Sequence, residues 1–137
     1  MAGATYVLDK TYTETDAAGV GQYLAVIRDT ADTTGASCKL PTAAAQKIVG
    51  ITQEEQPNQK GNVVVRKLGI SRATAAGAIA ADSYVEVAGT SGKLQAVTPL
   101  ASGATLNSVV GIAESPASAD GDVFFVFLTP GSIGITA

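Results

Sequence analysis

The chain has 137 residues, 46% hydrophobic but only 5% aromatic, with 15 Gly, no Trp, no His and a formal net charge of −3. That length suits one domain, or two small halves that share a core. A sequence-independent grip on nucleic acid is excluded, because phosphate contacts need clustered Lys and Arg, and no apolar run is long enough for a membrane-spanning helix.

With so few aromatic residues, the core comes mostly from Val, Ile, Leu and Ala. Frequent Gly and Thr point to many short strands and tight turns. The opening MAGATYVLDKTYTETD has no basic segment followed by an apolar one, so it does not read as a signal peptide, and folding in a cytoplasm is expected. Residues 1–20 differ in texture from the rest and are predicted to form an arm. Its anchors on a neighbour would be Tyr6, Val7, Leu8 and Tyr12. The alternative is a frayed tail.

The remainder, 21–137, is predicted to be a single β domain. Gln22–Arg28 is a strand and Asp29–Gly35 a turn. Ala36–Leu40 returns as a hairpin arm and Pro41 stops it. The lone Cys38 lies in this arm and reads as a buried, inert thiol. Thr42–Gln46 is too short for a stable helix. Ile48–Thr52 is the next strand. A polar loop with Pro57 follows, and Gly61-Asn62 leads into Val63–Leu68, which Gly69–Arg72 continues. Ala73–Ala81 is read as an irregular or extended linker despite its Ala content. Tyr84–Val87, the turn Gly89–Gly92 and Lys93–Val97 form a second hairpin. Two strands follow Asn107, the last predicted to end at Pro130-Gly131.

The same pattern is written twice. IVGITQEEQPNQKGNVVVRKLG (Ile48–Gly69) is echoed by VVGIAESPASADGDVFFVFL (Val109–Leu128). Gly50 falls opposite Gly111, a shift of 61 residues (111 − 50), and Tyr23–Val26 falls opposite Tyr84–Val87 at the same shift. Lys39-Leu40 is matched to Lys93-Leu94. The repeat is therefore drawn as 22–69 and 83–131. Gly50 and Gly111, inside strands, mark a bulge or a close approach of another backbone. Gly61 and Gly121 are read as left-handed turn residues. The fold class expected is all-β, a compact barrel or sandwich.

The copies differ at one end. Arg66-Lys67 is replaced by apolar residues in Val123–Leu128, a run holding all three Phe residues. Either that strand is buried on both faces, or Phe124, Phe125 and Phe127 form a subunit interface.

Catalytic signals are sparse. Without His, the commonest general base and metal ligand is missing, and Cys38 has no obvious activating partner. The acids sit mainly in loops, without EF-hand spacing, and there is no phosphate loop. No enzyme, cofactor or metal is expected.

The motifs do resemble a family. Gly111-Ile112-Ala113, a polar loop, Gly121-Asp122-Val123 and an apolar strand form one pattern. Gly69-Ile70-Ser71, Ala80-Ala81-Asp82, Tyr84–Val87 and Gly92-Lys93-Leu94 form another. Together, over residues 20–130, they look like the capsid decoration (capsid cement) proteins of tailed bacteriophages. That family often has Gly where this chain has Ala81. The resemblance implies a virion protein made in the host cytoplasm that binds the outer capsid surface, as a homotrimer. It would clamp neighbouring copies of the major capsid protein, with an N-terminal arm reaching onto them. The alternative is a carbohydrate-binding β-domain on a virion or cell surface, though Trp is absent and Tyr sparse. A tail-tube or fibre subunit and a small hydrolase rank below it.

Overall fold

The computed structural model describes residues 7–98 and 107–133, which hold nine strands and no helix. They are β1 (Leu8–Glu14), β2 (Ala25–Arg28), β3 (Ser37–Lys39), β4 (Gly50–Thr52), β5 (Asn62–Thr74), β6 (Tyr84–Val87), β7 (Leu94–Ala96), β8 (Asn107–Ala113) and β9 (Val123–Ile133). The expected all-β barrel is what forms. Strands run in the order β1-β3-β2-β4-β5, and β1 closes the ring by pairing antiparallel with the first half of β5, Tyr12 opposite Val63. Closure removes the free edges that short strands would otherwise present.

β5 is 13 residues long because it serves two rings. Its second half pairs with β9, and β8, β6 and β7 follow in order. A single parallel bridge, Ala75 to Leu94, brings this second ring together. The order β3-β2-β4-β5 thus mirrors β7-β6-β8-β9.

The duplication is deeper than the sequence pattern. Glu14 N–H donates to Gly61 O at 2.9 Å, and Ala75 N–H to Asp122 O at 2.8 Å. The second half of β5 is therefore the counterpart of β1, and the repeating unit runs 8–68 and then 69–129. The predicted unit began one strand too late. Pairing also corrects the shift within it. Val26 faces Gly50 while Val85 faces Gly111, so β2 and β6 are related by 59 residues (85 − 26), not 61. Tyr23 and Asp82 are the true equivalents, both left-handed at φ 59° and 64°. Cys38 matches Leu94, since each is the parallel partner of an equivalent residue, Glu14 or Ala75. Lys39-Leu40 had been aligned two residues off.

The two strand glycines behave as expected. A Cβ on Gly50 would collide with the carbonyl oxygen of Arg66, and one on Gly111 with that of Phe127. The turn reading is half right. Gly121 is left-handed at φ 89°, but its counterpart is Lys60 at φ 65°, not Gly61. β9 also runs through Pro130 instead of stopping there. Val109 faces Gly131 and Gly111 faces Leu128, so Thr129 and Pro130 oppose only Val110. Proline, which has no N–H to give the ladder, is tolerated at such a bulge.

Inside the first ring lie Tyr12, Val20, Val26, Cys38, Val63 and Val65. The second ring's core holds Ala73, Ile79, Val85, Leu94, Phe124 and Val126. Ala25, Ile27, Ile48 and Ile51, on the outer side of the first ring, belong to that second cluster. Ala25 N–H donates to Gly92 O and Ala45 N–H to Val87 O, both at 2.8 Å, so the two halves are joined as one body. Burying a side chain the size of Phe124 contributes about 2–3 kcal/mol.

Candidate functional site

Strand alternation decides which residues reach solvent. On β5, Val63, Val65, Ser71 and Ala73 point inward and are buried. Leu68, Ile70 and Arg72 point outward. On β9, Phe124, Val126 and Leu128 are buried, whereas Phe125 and Phe127 are 44% and 41% exposed. Neither strand is buried on both faces.

The outward residues line up across the sheet. Ile70 faces Phe127, Phe127 faces Ile112, and Ile112 faces Tyr84. One step along, Arg72 faces Phe125 and Thr74 faces Val123. At the other end Leu8 faces Leu68. Val7, Leu8, Leu68, Ile70, Tyr84, Val123, Phe125 and Phe127 are the exposed large hydrophobic residues of the described chain, and strand pairing places all but Val7, which precedes Leu8, in this band. With each about half exposed and aromatic side chains offering roughly 150–250 Å² apiece, the face approaches the ~800 Å² one partner buries in a standard interface. Isolated monomers rarely leave so large a contiguous apolar patch uncovered.

Two arginines accompany the band. Arg72 lies over the Phe125 ring at 5.6 Å and the Tyr23 ring at 5.9 Å, within cation–π range of both. Arg66 pairs with Asp9 at 2.9 Å beside Leu8 and Leu68.

The predicted site residues divide accordingly. Tyr6 lies outside the described residues. Val7 and Leu8 are exposed, but Leu8 opens β1 of the barrel, so over Leu8–Glu14 the expected arm is a strand. Tyr12 is not a surface anchor. It is 5% exposed in the first ring's core, because alternation along β1 turns it inward opposite Val63. Phe124, for which core and interface were both open, is core at 1%. Phe125 and Phe127 do sit on the open face. The sequence reading treated the arm and the Phe strand as separate features, yet Leu8–Leu68 pairing joins them into one surface. It also missed Ile70, Leu68 and Tyr84. A correct 61-residue shift would have flagged Ile70 and Phe127, which replace the ion-paired Asp9 and Arg66.

Cys38 is fully buried, and its thiol is pushed up to about 12, first by burial and then by the neighbouring Glu14 carboxyl. It stays protonated and a poor nucleophile at neutral pH. Glu86 is buried but satisfied: Gln95, Thr98 and Asn107 donate to its carboxylate at 2.8–3.3 Å. Among the described residues, no three His, Cys, Asp or Glu side chains gather as a metal site would need.

No family model matches the sequence, and no curated protein matches it. Among solved structures, the fold is similar to the N base of head fiber gp8.5 in bacteriophage phi29, with a TM-score of 0.64. Identity is 12%, and the match covers 93% of this chain and 98% of that one. At that identity the likeness is one of fold.

Proposed function

We propose that this chain is a non-enzymatic structural protein of a tailed-phage head, sited on the outer capsid surface. In this reading it binds the major capsid protein, assembles with copies of itself as a homotrimer, and clamps neighbouring capsid subunits. The observation that carries the reading is the fold likeness to a phage head-fiber base along nearly the whole of both chains. Two features support it. The chain lacks His and its one thiol is unreactive at neutral pH, as suits a module without chemistry. Its most unusual surface is a flat apolar band, which suits protein contact better than small-molecule capture. Many identical copies on a closed shell multiply a modest contact into firm attachment.

The test is co-sedimentation of purified protein with expanded empty heads that lack it. Wild type should pellet with the heads, and Phe127→Glu should stay in the supernatant while remaining folded. Wild type that never pellets, or that is retained on a glycan array instead, rules the reading out.

A further inference from the structure

Glu14 ends β1 with its side chain fully buried. Its Oε1 accepts the Asp16 N–H at 2.6 Å, and its Oε2 lies 3.8 Å from Cys38 Sγ. Three elements surround it. Its own chain contributes the Asp16 carboxyl, whose Oδ2 accepts the Leu40 N–H at 2.6 Å. β3 contributes the protonated Cys38 thiol. The Lys60-Gly61 turn contributes backbone only, Lys60 N–H donating to Glu14 O and Glu14 N–H to Gly61 O. Among the described residues Glu14 takes part in no ion pair.

A buried carboxylate beside a second carboxylate and a thiol, with no cation, is costly when charged. The barrel does not require this arrangement. At the equivalent places the second ring has Ala75 and Leu94, and the same backbone forms. The buried acid beside a thiol is therefore a feature of the first ring alone.

We propose that Glu14, sealed against Cys38 and hydrogen-bonded to the Asp16 N–H, forms a proton-gated clasp on the N-terminal strand. With a proton on Glu14, β1 stays seated between β3 and β5. With the proton lost, a buried charge stands beside the half-buried Asp16 carboxyl and β1 opens more often. Opening would carry with it Val7 and Leu8, one end of the apolar face, so the contact surface itself becomes pH-dependent. Neither step relies on the capsid reading.

Burial, the largest cause, raises the Glu14 carboxyl from its ordinary 4.5 to about 7, and the charge of Asp16 adds to it. A raised folded-state value means the stabilisation is complete below 4.5 and is lost as pH rises through about 7. The clasp is thus closed in mild acid and loosened in mild base.

Amide hydrogen exchange on the full chain tests this. The reporters are Thr13, Glu14 and Thr15, whose N–H groups donate to Ala36 O, Gly61 O and Cys38 O at 2.8–3.1 Å. From pH 6 to 8.5, their protection, corrected for intrinsic exchange, should fall at least tenfold relative to β8 and β9. In Glu14→Gln that relative fall should vanish. Should this variant not fold, carbon-detected titration of the wild-type Glu14 carboxyl decides. A midpoint near 7 supports the clasp, and one near 4.5 overturns it. Equal changes in β1 and β9, or none in either, overturn it as well.

Discussion

The two rings share one backbone plan and fill it in opposite ways. Tyr12 faces Val63 in the first ring, and their equivalents Ala73 and Phe124 face each other in the second. The large aromatic has moved to the other strand of the pair, and its partner has shrunk from Val to Ala. On the outer surface, the ion pair of Asp9 with Arg66 becomes the apolar pair of Ile70 with Phe127. The buried Glu14 becomes Ala75. A barrel of this size fixes where its glycines and inward positions fall, but leaves open which strand supplies the large side chain. The outward positions carry no such constraint, and that is where the halves have been given different surfaces.

The sharpest test of the shared plan lies at the glycines. Gly50→Ala and Gly111→Ala each push a Cβ into a carbonyl oxygen and should cost about 3 kcal/mol or more. Urea denaturation should show similar losses for both. A cost under about 1 kcal/mol at either would break the equivalence of the rings.

Volume exchange comes next. Tyr12→Ala and Phe124→Ala should each cost about 3–4 kcal/mol. Adding Val63→Phe to Tyr12→Ala imports the second ring's solution and should return about 1–2 kcal/mol. If the double variant is no more stable than the single one, the rings do not pack alike.

Converting the outer surface should barely touch stability. Ile70→Asp with Phe127→Arg writes the first ring's ion pair onto the second. It should shift stability by less than about 1 kcal/mol, yet abolish co-sedimentation with heads. Retained binding would move the contact surface elsewhere. The smallest effect is expected from Asp9→Asn. The pair it breaks is partly exposed, so the loss should be about 0.5 kcal/mol and should shrink in high salt.

Much of the barrel could be read before it was seen. Gly50 and Gly111 announced the close backbone approaches. Errors arose where local signals compete with the ladder. Pro130 reads as a terminator, yet a bulge absorbs it. Residues 8–14 read as a polar arm, with Thr, Lys and Asp prominent, yet they complete a ring because β5 and β3 leave their edges for them. The site suffered most. The Phe run looked uniform, and only its pleat separates Phe124 from Phe125 and Phe127.

Composition and spacing by themselves determined that this is a β-rich, duplicated chain with a small aliphatic core, because turn glycines and alternating Val and Ile leave few other options. Tertiary structure alone decided that β5 belongs to both rings, that Tyr12 faces inward, and that Leu8 pairs with Leu68. Those facts depend on which distant strands pair and in what register, and pairing partners 57 residues apart, such as Asp9 and Arg66, leave no mark on local sequence.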